Sequence, residues 1–191
     1  MSRAKIKYAF HPLTNDRWRD FEQLFGERGA CGGCWCMLWR LKRADFERQK
    51  GGGNRKAMRK LVRAGEIPGI LAFDGTKPIG WCAIAPRETY LALAGSRVLK
   101  PIDDKPVWSV ACLFIDKSYR KQGVSVELLR AACKYVKTQG GKIVEGYPVE
   151  PKKGEIPALF AWTGIANAFE KARFVECARR SKTRPIMRRK L

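Results

Sequence analysis

Apolar positions recur along this chain at two spacings, and each change of spacing marks a change of element. Ile6 to Phe10 has a strand-like mix, and the LTNDRWRDFEQLF that follows puts Trp18, Phe21 and Phe25 on one helical face, with Thr14 placed to cap it. Glycines at 26, 29, 32 and 33 break that pattern ahead of the aromatic, cysteine-bearing CWCMLWR. Asn54 to Ala64 predicts a second helix, with Met58, Leu61 and Val62 inward and Arg55, Lys56, Arg59, Lys60 and Arg63 toward solvent. The triple glycine Gly51 to Gly53 before it reads as a flexible hinge.

GILAF and IGWCAIA, joined by the turn chemistry of Asp74-Gly75 and Pro78, predict a hairpin. After a polar excursion from Pro86 to Pro106, the unbroken apolar run Val107 to Ile115 suits a strand covered on both faces. Val124, Leu128, Leu129, Ala132 and Val136 then recur at helical spacing through Lys137. KIVEGYPV restarts a strand after a glycine stop, and Pro151, Gly154 and Pro157 mark the next stretch, to Trp162, as loop. Ile165, Ala168, Phe169 and Ala172 form one more helical stripe, and FVECARRS and RPIMRRK close the chain as antiparallel strands. The class is α/β in the broad α+β sense, and 191 residues are too few for two ordinary cores, so residues 1–191 read as one domain.

Charge changes the picture more than composition does. With 45% hydrophobic residues the chain can bury a core, which excludes global disorder. Its 39 Lys and Arg against 18 Asp and Glu leave a net charge of +21, which calls for an anionic partner. No stretch approaches the roughly 20 apolar residues of a membrane helix, and the start lacks a signal-peptide core, so a cytoplasmic protein without membrane contact is expected. The seven cysteines are an odd set, and four lie in core-like segments; in a reducing compartment they are expected as thiols.

The segment with readable chemistry is VACLFI, then DKSYRKQGVS, then VELLRAACKYV: strand, turn, helix. A glycine turn opening onto a helix leaves backbone N–H groups unpaired, and the helix dipole adds positive potential there, so the physics reads either an anion site or an ordinary basic helix start. The spacing fits neither the Walker loop nor the three-glycine dinucleotide turn.

Arg120-Lys121-Gln122-Gly123-Val124-Ser125, preceded by LFIDKSY, resembles the acetyl-CoA signature of the GNAT superfamily of N-acetyltransferases. The order of hairpin, apolar strand, signature, next strand and the final AFEKARF-VECAR is similar to that superfamily from about Ile6 to Met187. CWCMLWR further resembles a subgroup whose acceptor is unknown. The resemblance implies a mixed, mostly antiparallel central sheet flanked by helices and splayed between its fourth and fifth strands, with acetyl-CoA as cosubstrate in the cleft. It implies that the pantetheine arm pairs with backbone of Leu113, Phe114 and Ile115, that amides from Lys121 through Gln122, Gly123, Val124 and Ser125 hold the pyrophosphate, and that Arg120 supports the turn. The implied reaction is direct attack of an uncharged amine on the thioester, with a backbone N–H at the end of the 107–115 strand for the oxyanion.

Two departures stand out. Ser125 occupies the last small position, where Gly or Ala is usual, and Phe169 stands where the superfamily commonly carries a proton-donating tyrosine. Tyr147 is then the nearest acid by topology, with water, or no acid at all, as alternatives. Glu145 is the base expected beside the cleft, either directly or through water, and the competing reading makes it a salt-bridge partner of one of the many cations. His11, the only histidine, reads as structural, which leaves a Ser-His-Asp or Cys-His hydrolase without support.

Cys31-Gly-Gly-Cys34-Trp-Cys36 has a metal-ligand spacing but no fourth ligand close by, so no metal is expected; a redox pair beside Arg40 and Lys42 is a second reading. The favoured one is a packed loop with Trp35, Met37 and Trp39 as the acceptor-side wall. Ten cations against Asp45 and Glu47 between Arg40 and Arg63, and seven cations without an acid from Arg179 onward, make either a solvated surface or a docking face for RNA or an aminoacyl-tRNA. The acceptor is accordingly expected to be a small-molecule or peptide amine, with RNA or tRNA as the other partner class and a basic RNA-binding protein on the same fold as the alternative function. Monomer and homodimer are both compatible with the sequence.

Overall fold

A computed structural model describes residues 8–151, 157 and 160–191. Ile6 and Lys7 of the first expected strand, and Gly154 of the loop, lie outside them. One seven-stranded sheet organises the chain: β1 (Ala9–Pro12), β2 (Gly69–Asp74), β3 (Lys77–Pro86), β4 (Trp108–Ile115), β5 (Ile143–Gly146), β6 (Val175–Arg179) and β7 (Pro185–Lys190). Their order is β1-β2-β3-β4-β5-β7-β6, antiparallel throughout except for the parallel pair β4–β5. A parallel pair needs a crossover, and α5 (Val124–Thr138) supplies it.

Strand periodicity divides the core in two. Ile70, Ala72, Cys82 and Ile84 face α5 and α6 (Ala166–Lys171), while Leu71, Phe73, Trp81 and Ala83 face α1 (Trp18–Phe25) and α3 (Gly52–Arg63). Phe21 of α1 lies edge-on to Trp81 at 4.9 Å between ring centres. Both are wholly buried, so cutting Phe21 to Ala should cost about 3–5 kcal/mol.

Three local expectations need correction. Thr14 does not cap α1: the N-cap is Arg17, without a side-chain cap bond, and Thr14 instead accepts the Arg17 amide in the preceding turn. The glycine run is no hinge, because Gly52 and Gly53 open α3 and Gly51 is tied to Gly33 by a 3.0 Å backbone bond. The basic segment also contains α2 (Arg43–Arg48), short enough that Phe46 is its one buried residue, so it leaves little periodic signal. A further short helix, α4 (Leu91–Ala94), sits in the excursion between β3 and β4.

Candidate active site

β4 and β5 pair over three rungs only: Trp108 with Val144, Ser109 with Glu145, and Val110 with Gly146. From Ala111 onward β4 has no β5 partner, so the sheet forks there. A bulge sits at the fork, since Ala83 pairs with Cys112 and Ile84 with Val110, leaving Ala111 as the extra residue. Ala111 and Cys112 consequently both face the α1 side, while Val110 and Leu113 face α5.

Past the fork the backbone alternates again. Asp116 N–H donates to Ile79 of β3, so Phe114 also directs its backbone groups at β3, and those of Leu113 and Ile115 point into the fork. This corrects the expectation for Phe114, whose main chain belongs to the β3 ladder. Leu113 N–H already donates to the Trp162 carbonyl at 2.7 Å, and the Ile115 carbonyl accepts Arg120 Nε at 3.1 Å. Among the described residues, the Leu113 carbonyl and the Ile115 N–H have no partner, and they are the groups a ligand could meet.

Beside the fork, the turn at Arg120 to Ser125 is built as an open cradle. Asp116 accepts the Ser118 amide and Gln122 Nε2 donates to the Ser118 carbonyl, fixing the turn from within. Lys121 and Gly123 have φ of 60° and 82°; the second is the N-cap of α5, where a side chain would be strained. No side chain caps α5, and the N–H groups of Gly123, Val124 and Ser125 have no acceptor among the described residues. Arg120, Lys121, Gln122 and Gly123 are exposed, Ser125 is partly so, and Val124 is buried as an anchor. Free amides, the helix dipole and cationic side chains on one exposed turn are the chemistry that suits an anion.

Glu145 and Tyr147 lie on the other side of the fork, in a closed network. Tyr147 OH donates to Glu145 Oε1 at 2.6 Å and meets Ser109 Oγ at 2.8 Å and Arg87 Nη1. Arg87 Nη1 also reaches Glu145 Oε1 at 3.2 Å, while Arg188 Nε holds Oε2 at 2.7 Å and turns its remaining nitrogens to Asp103. Glu145 and Tyr147 are each 1% exposed. Burial first, then the Glu145 charge, push the Tyr147 hydroxyl far above its ordinary value. This corrects the base expected at Glu145: both its oxygens are bound by arginines and neither meets open space, so the salt-bridge alternative holds. Tyr147 likewise offers its proton inward to a carboxylate.

Ser109, Arg87 and Arg188 were not singled out from the sequence. Glu145 and Tyr147 stand two apart on a strand and so share a face, a signal that the pair acts together, but their cations come from 58 and 43 residues away. Phe169 is wholly buried, its ring against Gly146 and Gly164 and edge-on to Phe174. Any Cβ at 146 would collide with that ring. His11 lies in β1 against Phe73, in keeping with a structural role.

The wall expected from Trp35, Met37 and Trp39 also changes, since Trp35 and Met37 are core residues at 4% and 3% exposure. Trp39 alone lies toward the fork, 5.8 Å from the Trp162 ring. All seven cysteines are free thiols, and no group of three or more His, Cys, Asp or Glu among the described residues is arranged to hold a metal. Among the same residues no helix is long and apolar enough to cross a membrane.

Comparison with known proteins places this geometry in context. A structure of a GNAT-family acetyltransferase from Listeria monocytogenes superposes with a TM-score of 0.60 at 7% identity, covering 100% of this chain and 99% of that one. A mosquito arylalkylamine N-acetyltransferase-like protein gives 0.59 at 12% identity, covering 97% and 100%. PaiA N-acetyltransferase from Thermoplasma acidophilum, in complex with coenzyme A, gives 0.54 at 13%, covering 97% and 99%. At these identities the likeness speaks for the fold. A comparison with curated proteins found no match. The family model described as Acetyltransferase (GNAT) family matches residues 35–151, well over half of the chain and spanning both the fork and the turn. The chain belongs to the GNAT acetyltransferase family.

Proposed function

We propose that this protein transfers an acetyl group from acetyl-CoA to an amine, small or peptidic, by direct attack. The observation that carries this reading is the exposed turn with three free amides beside an unpaired strand edge. In it, backbone N–H groups of Lys121 to Ser125 and the Arg120 guanidinium hold the diphosphate. The Leu113 carbonyl and Ile115 N–H pair with the amide-bearing arm, and the thioester is brought to the fork at Ala111. The attacking amine must be uncharged. A strand N–H stabilises the oxyanion and the departing thiolate needs no strong acid. Glu145 and Tyr147 act as positioning residues that pin β4 to β5 at the last paired rungs. The proton leaves through water, so the pH profile of kcat/KM follows the acceptor amine.

Thermal stabilisation tests the reading. At one hundred times its Kd, acetyl-CoA should add about 2.7 kcal/mol, a rise of roughly 5–10 °C in Tm for a chain of this size. Gly123→Glu should lose that rise. An unshifted wild-type melt at millimolar acetyl-CoA, or equal shifts in both proteins, refutes it.

A second reading rests on α3. Lys56, Lys60 and Arg63 have no acidic partner among the described residues, and with Trp18 they border a groove of about 600 Å³. Cations one helical turn apart suit an RNA backbone, whether as acceptor end or as sole ligand. RNA binding that falls steeply with salt, weakens in a Lys56→Glu/Lys60→Glu/Arg63→Glu variant and does not respond to acetyl-CoA would favour it.

A further inference from the structure

The turn of Arg120 to Ser125 is held at one end by a helix and at the other by side chains from a different part of the sheet. Its far end runs into α5, where Val124 is buried. At its entrance Lys121, a non-glycine residue, keeps a φ of 60°. Left-handed backbone at such a residue is costly and persists where surrounding structure enforces it. The enforcement comes from the single helical turn Lys117–Tyr119 just before it. Tyr119 OH donates to Asp74 Oδ2 at 2.9 Å, and Lys77 Nζ lies 5.0 Å from the centre of the Tyr119 ring. The same ammonium is 3.9 Å from Asp116 Oδ2, while Asp116 Oδ1 takes the Ser118 amide at 2.8 Å.

Asp74 ends β2 and Lys77 begins β3, and the two are cross-strand partners around Gly75 and Thr76, so their side chains share a face at the hairpin tip. The clasp therefore joins the tip of the β2–β3 hairpin to the entrance of the turn, across 45 residues of sequence. Asp116 N–H, donating to the Ile79 carbonyl at 2.9 Å, adds a backbone tie between the same two regions. The Tyr119 ring is partly buried against the core on the α5 side, so the ring is seated as well as bonded. The bond to Asp74 first, then burial, raise the Tyr119 hydroxyl above its ordinary value, so it keeps its proton and remains the donor.

We propose that Tyr119, clasped by Asp74 and Lys77, is a positioning residue for the cosubstrate, so that the hairpin tip sets the affinity of the turn for the diphosphate; this rests on the acetyl-CoA reading. Amides that already converge need no ordering at the moment of binding. Released from Asp74, the entrance relaxes toward the backbone that Lys121 prefers, and part of the binding free energy goes into rebuilding the cradle. The effect falls on the affinity for acetyl-CoA, with chemistry at the fork untouched: KM for acetyl-CoA rises and kcat holds. Charge alone gives the opposite expectation for Asp74. Removing a carboxylate near a site for a polyanion lessens repulsion and tightens binding, so a weakening reports the clasp.

The test is calorimetric titration of acetyl-CoA into the full-length chain and three variants. Tyr119→Phe keeps the ring beside Lys77 and loses only the hydroxyl; it should bind about tenfold more weakly. Asp74→Asn keeps the turn chemistry before Gly75 and leaves a weaker, neutral acceptor, so about threefold is expected. The double variant should stay near tenfold, because both changes cut one bond. A purely structural role would lower the unfolding midpoint of the free protein and leave the affinity of the folded chain at the wild-type value. Tyr119→Phe within twofold of wild type, Asp74→Asn binding more tightly, or a double variant weaker by about thirtyfold, the product of the singles, overturns the clasp. Either single variant decides the matter if the other fails to fold. A wild-type chain that does not bind acetyl-CoA removes the cosubstrate reading and the clasp together, whereas a binding wild type with unaffected variants removes the clasp alone.

Discussion

The two sides of the fork solve opposite problems with similar residues. At the turn of Arg120 to Ser125, the amides of Gly123, Val124 and Ser125 have no acceptor among the described residues, and Asp116 is engaged from within by the Ser118 amide. At the Glu145–Tyr147 network every charge is matched, with Arg87 and Arg188 on the carboxylate and Asp103 on Arg188. A polar group that is satisfied in the free protein gains little from a ligand, whereas a preorganised unsatisfied one gains much. The exposed turn is therefore the side left with groups that a ligand can satisfy, as the proposed acetyl-CoA site requires, and the buried carboxylate, the more enzyme-like of the two on paper, is already paired.

Glu145→Gln attacks the architectural side and should have the largest effect. Removing one charge of a buried network leaves two arginines under-compensated, which costs about 3–5 kcal/mol in denaturant unfolding. The pH profile of any surviving activity should keep its shape; a shifted profile with unchanged stability would reverse the assignment. Gly123→Glu attacks the binding side, lowering acetyl-CoA affinity about 100-fold, near 2.7 kcal/mol by calorimetry, with the unfolding midpoint of the free protein changed far less. An affinity within twofold of wild type would remove the contrast.

Phe169→Tyr asks whether a phenol at the position of the superfamily's usual acid restores a missing function. With the ring packed against Gly146, an added hydroxyl should cost about 1–3 kcal/mol and bring no gain in turnover. A rise in kcat would show that the site lacks an acid after all. The smallest effect is an acid limb. Hydrogen bonds from Arg188 hold the Asp103 carboxyl below the usual aspartate range. Its contribution is thus present above that range and lost as pH falls through the lowered folded value. Asp103→Asn should flatten that part of a stability-versus-pH curve, measured by urea unfolding.

Periodicity made most of the sheet legible. The apolar run of β4 and the helical stripe of α5 are signals carried by contiguous residues, and the structure places Trp108–Ile115 and Val124–Thr138 where they point. The signature turn was legible for the same reason, because a glycine at an N-cap and its flanking cations are local. What stayed hidden depends on distant partners. The fate of Glu145 is decided by arginines on β7 and beyond the end of β3, and sequence spacing carries no record of that meeting. The loop at Cys36 was hidden for a different reason: left-handed Trp and Cys run against the preference of both residues, so local rules argue for some other path.

The bond from Leu113 N–H to the Trp162 carbonyl has a consequence for solubility. An unpaired edge in the middle of a sheet is an invitation to a strand from another molecule, and such additions seed aggregates. Trp162 blocks one rung of that edge and the Arg120 guanidinium occupies the next. A foreign strand would find a broken ladder, while a thin arm needing only two rungs would still fit.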